Sequence, residues 1–206
     1  IYDNEKIYES TGRYGQSTLS HIDLQSGELL MQHKLDARYF GEGLARVDQQ
    51  LFQLTWKSGE VLIYDLATLT LKSTINIGKE AWGLSSDGEQ LIMSDGSAQL
   101  HWLDPHTLRL NKHRSVTVAG RPLNKLNELE WVDGCILANI WYSDELVFID
   151  AESGFVEYTL NLASIANVER RKNKEHVANG IAYMPETGHL LVTGKNWQHI
   201  YQLQLM

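Results

Sequence analysis

Cysteine is almost absent from this sequence. One residue, Cys135 in "DGCILAN", stands in 206, which excludes an internal disulfide. In its apolar setting it reads as a thiol in a strand core. Proline is scarce too, at three residues, so turns fall to Gly, Asp and Asn. No apolar run approaches the ~20 residues of a membrane-spanning helix. No targeting pattern opens the sequence, which begins at Ile1, and a presequence upstream is compatible with that start. Positive charge is also in deficit: 18 Lys and Arg face 26 Asp and Glu, for a net charge of -8. That balance argues against nucleic acid as a partner. The single basic run, "RRKNKEH" at 170–176, breaks into an acid and reads as a solvated loop.

Several catalytic signatures are missing. There is no G-x-S-x-G elbow, no G-x-G-x-x-G and no P-loop, so serine-triad hydrolysis, nucleotide redox chemistry and ATP chemistry lose support. Eight histidines are scattered without H-E-x-x-H or similar spacing, which speaks against a catalytic zinc.

What remains is short alternating stretches cut by Gly and Asp turns, such as "TLSHIDL", "QLFQLTW", "EVLIYDL", "CILANIW" and "ELVFID". They recur in a fixed order. Asp23, Asp65, Asp104 and Asp150 each close the third strand of a unit, at separations of 42, 39 and 46 residues. A turn and a more polar strand follow each one. An Asp that bonds turn amides explains the recurrence without catalysis. Four strands per unit at this spacing predict an all-β, five-bladed β-propeller with four-stranded antiparallel blades in one domain. The blades fall at about 1–38, 39–78, 79–120, 121–165 and 175–206, with the first and last incomplete. The strand completing the last blade is expected upstream of Ile1. An irregular β-sandwich would not explain the repeated strand order.

In such a fold the starts of first strands and the ends of second strands rise to one mouth of the channel. Those positions carry Glu42, Glu80, Trp82, Asn127, Glu128 and Asn179, and then Glu9, Trp56, Asp95, Asn139, Trp141 and Lys195. Glu42 to Trp56 and Asn127 to Trp141 are both 14 residues apart, so equal-armed hairpins would set each pair level. The set predicts a small apolar box with a few convergent polar groups. Glu80 and Glu128 also suit structural carboxylates bonding a neighbouring blade. Trp102 and Trp131, inside strands, suit blade packing.

The series "FGEGL", "QLTWKSG", "AWGLSSDG", "LNELEWVDG", "ANIW", "NGIAY" and "VTGKNW", in this order, resembles the glutamine cyclotransferase family of plants and bacteria. The likeness runs from Tyr8 to Leu205. It implies a five-bladed propeller that converts the N-terminal glutamine of a peptide or protein to pyroglutamate, releasing ammonia, with no cofactor and no metal. By this resemblance the catalytic carboxylate is Glu42, the polar partners are Asn127 and Lys195, and the substrate-binding walls are Trp56, Trp82 and Trp141. The family also implies a periplasmic or secreted location, a monomer, and no membrane span. Its members carry a Phe-Thr-Gln-Gly-Leu segment that contributes to the pocket and is not among these residues. Alanine stands before Trp82 where glycine is commoner.

Two other readings compete. A non-catalytic propeller could bind peptides at its mouth, but it would need no base beside a donor. A metal-centred hydrolase, or a structural calcium, would draw oxygens from Glu9, Asp95, Glu128 and Asn179.

Overall fold

A computed structural model describes residues 1–169 and 176–204. Most of the basic run, residues 170–175, lies outside the described residues. Five antiparallel sheets follow one another along the chain, the five-bladed β-propeller class expected from the repeats. The first holds β1 (Tyr2–Asp3), β2 (Lys6–Thr11), β3 (Thr18–Asp23) and β4 (Leu29–Lys34). The second holds β5 (Gly41–Val47), β6 (Gln50–Thr55), β7 (Glu60–Asp65) and β8 (Leu71–Asn76). The third holds β9 (Leu84–Ser86), β10 (Leu91–Ser94), β11 (Gln99–Leu103) and β12 (Leu110–Ser115). A small hairpin of β13 (Thr117–Val118) and β14 (Arg121–Pro122) precedes the fourth sheet: β15 (Leu126–Val132), β16 (Cys135–Ile140), β17 (Glu145–Asp150) and β18 (Val156–Asn161). Helix α1 (Ala163–Glu169) comes next, and then β19 (Ala178–Met184), β20 (His189–Gly194) and β21 (Tyr201–Gln204). Among the described residues the last sheet has three strands and the first opens on a two-residue strand, matching the incomplete ends read from the repeats.

By packing, the chain divides into two compact units, Ile1–Met93 with His101–Lys112, and Ser94–Leu100 with His113–Met206. In the first, one apolar cluster gathers Phe52, Leu54, Val61, Leu84, Leu91 and Met93, and a second gathers Leu19, Leu44, Leu51, Leu62 and Tyr64. In the second unit Leu137, Leu146, Leu162, Ile181 and Leu190 form the cluster. The middle strands β6 and β7 are buried along most of their length, and the outer strands β4, β8 and β18 are mostly exposed. The more polar fourth strand of each repeat is thus the solvent edge.

The recurrent Asp residues are turn acceptors. Oδ1 of Asp23 takes the backbone N–H and the hydroxyl of Ser26, and Asp65 and Asp104 do the same for Thr68 and Thr107. Asp150 repeats it with Ser153. These bonds hold each carboxyl below its ordinary value of 3.8. Their contribution to stability is present above that value and is lost as pH falls through the depressed folded-state pKa. The turn expected at Asp133-Gly134 is also found, with φ of 47° and 88°, the two positive values that a type I′ hairpin needs.

One expectation fails. The hairpin arms are not equal. In the second sheet Gly41 pairs with Thr55 but Leu44 pairs with Gln53, so one extra residue bulges at Glu42-Gly43. The same offset occurs at Asn127-Glu128, between the Leu126–Ile140 and Leu129–Ala138 pairs, and at Asn179-Gly180, between Ala178–Gly194 and Ile181–Val192. Trp56 is therefore level with Phe40, whose carbonyl accepts its N–H at 3.0 Å, and Trp141 is level with Lys125, at 2.9 Å. Neither is level with the residue 14 positions before it. Two elements were also not anticipated. The hairpin of β13 and β14 is too short for a pattern. Helix α1 has seven residues, too few for a helical period, and Asn161 Oδ1 accepts the Ala163 N–H at its start.

Candidate active site

In the first unit, Glu42 is the second residue of β5, half-buried at the bulge. The glycines beside it are required by close backbone approach. A Cβ on Gly41 would lie 2.6 Å from the Thr11 carbonyl oxygen, and one on Gly43 would lie 2.3 Å from the Leu84 nitrogen. The Ser10 hydroxyl donates to the Glu42 carbonyl, and the Gly43 N–H donates to the Trp82 carbonyl at 2.7 Å. Ser10 in turn accepts from the buried Gln53 amide at 2.7 Å, and Gln53 Oε1 accepts from Tyr64 at 3.1 Å. The backbone that presents Glu42 is thus fixed from both sides by neighbouring strands, above a buried polar chain.

Trp56 follows β6 directly and Trp82 precedes β9, both half-buried. Their indole N–H groups donate to the same atom, Glu80 Oε1, at 2.6 Å from Trp56 and 2.9 Å from Trp82. Phe40 meets Trp56 edge-on at 5.5 Å, and the Lys57 ammonium lies 4.2 Å from the centre of the Trp56 ring. Two of the three expected tryptophan walls are therefore tied together, and Gly43, next to Glu42, is joined through its backbone to one of them.

In the second unit, Asn127 lies buried at the bulge of β15, its carbonyl accepting from the Ser94 hydroxyl at 2.7 Å. Trp141 follows β16 and Lys195 follows β20, and these two meet: the Lys195 ammonium is 4.3 Å from the centre of the Trp141 ring. Such a contact holds the ammonium against an aromatic face. Tyr142, beside Trp141, has φ of 64°, a left-handed conformation that a bulky residue rarely adopts. Its ring lies 4.7 Å from that of Trp141. Asn139 is a brace: its Oδ1 accepts the Gly180 N–H at 3.0 Å.

Sequence reasoning missed other residues that set this geometry. Ser10 and Ser94 hold the carbonyls of Glu42 and Asn127 from matching places near the ends of β2 and β10. That repetition was visible as "YES" and "IMS", but serine is too common to stand out. Glu169, at the end of α1, collects the Gln198 N–H at 3.0 Å, the His199 ring at 2.7 Å and the Tyr201 hydroxyl at 2.7 Å. These bonds hold its carboxyl down at about 2 and tie the helix to the loop that begins at Lys195. Trp197 of that loop lies on Gly194, where a Cβ would come within 2.4 Å of its ring.

The sequence matches the glutamine cyclotransferase family model over residues 1–205. The chain belongs to the glutamine cyclotransferase family. It is 35% identical over 205 residues to a glutaminyl-peptide cyclotransferase of Arabidopsis thaliana, a match covering 98% of this chain and 64% of that protein. The crystal structure of Myxococcus xanthus glutaminyl cyclase superposes with a TM-score of 0.89 at 32% identity, covering 95% of this chain and 84% of that one. The WD40 β-propeller domain of Doa1, at 10% identity and a TM-score of 0.57 over 94% of this chain and 58% of that one, shares the fold alone.

Burial pushes the Cys135 thiol up to about 11, too high for a useful thiolate at neutral pH. Among the described residues no group of three or more His, Cys, Asp or Glu side chains could hold a metal ion, and no helix is long and apolar enough to cross a membrane. Trp102 is buried blade packing, as its place inside a strand suggested.

Proposed function

We propose that this chain, a glutamine cyclotransferase spanning 64% of its Arabidopsis relative, cyclises the N-terminal glutamine of peptides or proteins to pyroglutamate. The observation that carries the reading is the family match over residues 1–205, with Glu42 presented on a bulge whose two glycines are packed against neighbouring backbone. In the reaction the α-amine nitrogen attacks the side-chain amide carbon. A ring C–N bond forms, the amide oxygen gains negative charge, and the C–N bond to the departing amine then breaks to give ammonia. No oxidant or second substrate is consumed.

The ring closure is intramolecular, so most of the gain comes from holding a flexible side chain folded. Rigid indoles, Trp56 and Trp82 in one unit and Trp141 in the other, are suited to that work. An N-terminal amine has a reference pKa near 8 and must be neutral to attack. We assign Glu42 as the base that takes its proton and the acid that returns a proton to the leaving nitrogen. Lys195, held against the Trp141 ring, and Asn127 are assigned as donors to the developing oxyanion.

The test is incubation of the protein with a Gln-initiated peptide, following ammonia and the mass of the peptide. Loss of one ammonia from the Gln peptide, with Asn- and Glu-initiated peptides unchanged, is the expected result. An unaltered Gln peptide would favour the binding-module reading.

A further inference from the structure

We propose that Glu80 is the positioning residue of the tryptophan wall, setting the rings of Trp56 and Trp82 as one unit. The inference rests on the cyclotransferase reading above. An indole has a single polar donor, so its one hydrogen bond decides which way the ring is turned. Here both donors end on one oxygen, Glu80 Oε1, at 2.6 Å and 2.9 Å. A charged acceptor makes such bonds stronger than neutral ones. Two rings that converge on one atom cannot rotate independently.

The backbone around Glu80 supports the same role. The Ala81 N–H donates to the Trp56 carbonyl at 3.4 Å, and the Trp82 carbonyl accepts from Gly43, the neighbour of Glu42. One three-residue segment, Glu80 to Trp82, thus touches the end of β6 and the bulge of β5. Trp56 is further held by Phe40 at its edge and Lys57 over its ring. Glu80 is itself exposed, so burial does not account for its place. An exposed carboxylate that only solvated a loop would leave its oxygens to water.

Fixed rings matter to a cyclisation because they restrict the substrate before the bond forms, so their loss is felt in turnover. The experiment compares the full chain with E80A and E80Q. Glutamine keeps an oxygen that can accept from indole, and alanine does not. E80A is expected to lower kcat/KM for a Gln peptide about ten-fold or more, mainly through kcat, with little change in melting temperature. E80Q is expected to recover most of that loss. In near-UV circular dichroism the tryptophan bands change in E80A and largely return in E80Q. Turnover of E80A within two-fold of the parent, or equal impairment of both variants, would overturn the proposal. If the parent chain does not cyclise the peptide, the cyclotransferase reading fails by itself. The ring-setting role is then judged on the dichroism, where unchanged tryptophan bands in E80A would overturn it.

Discussion

Two titratable side chains, half-buried Glu130 and buried His21, give the residue scale its clearest consequences. Glu130, on β15, accepts the Tyr183 N–H at 2.7 Å, and burial pushes its carboxyl up to about 7 from 4.5. The folded state therefore holds a proton that the unfolded chain releases at lower pH. Stability falls as pH rises from 4.5 through about 7. Gln at this position keeps the acceptor and removes the charge. Glu130→Gln is expected to be more stable than the parent by about 3 kcal/mol at pH 8, with the difference vanishing toward pH 4.5. Equal urea midpoints at both pH values would contradict this. His21 runs the other way. It is buried in β3, stacked on Tyr8 at 4.5 Å, with neither ring nitrogen hydrogen-bonded, and burial lowers its pKa below 6.5. Its neutral form is the folded one, so stability declines as pH falls below 6.5. His21→Phe should flatten the melting temperature between pH 5 and 7, and an unchanged slope would show that His21 is not the group responsible.

At the scale of single elements, the bulges at the starts of β5, β15 and β19 are the feature that presents candidate residues, and each was hidden in the sequence. A one-residue offset leaves no mark of its own, because the strand on either side still alternates. Residue type betrays it in "FGEGL", through glycines packed on backbone, and in "NGIAY", through Gly180 at a φ of 155°, but not in "LNELE". The turns were easier. Asp at the end of the third strand and Asp-Gly in the fourth blade act through neighbours two or three positions away, so local pattern reaches them. The two kinds of glycine predict different costs. Gly43→Ala drives a methyl against the backbone of Gly83 and Leu84, which cannot swing aside, and should cost about 2–3 kcal/mol. Gly134→Ala meets no atom within 4 Å and pays only for its positive φ, about 1 kcal/mol. Chemical denaturation of both variants measures the difference, and a Gly43→Ala protein no less stable than Gly134→Ala would refute the close-packing account.

For the molecule as a whole, the repeats were legible because each blade is the same supersecondary unit written again. Helix α1 broke the pattern, as seven residues carry too little periodicity to be seen. A structural bond from Glu80 to the neighbouring blade was anticipated, and it is found on Trp56, but the pairing of both indoles on one oxygen was not readable. Its partners are 24 positions apart, and an exposed glutamate looks the same whether it faces water or two indoles. The residues proposed for the reaction came from motif order, with Glu42, Trp56 and Trp82 in one unit and Asn127, Trp141 and Lys195 in the other. The central claim is that Glu42 moves the proton in a glutamine cyclisation. The most direct measurement is kcat for a Gln-initiated peptide in the parent chain and in Glu42→Gln, with melting curves of both. An equally stable variant whose kcat is lower by about 100-fold or more is expected. A stable Glu42→Gln protein releasing ammonia at near the parent rate would contradict it.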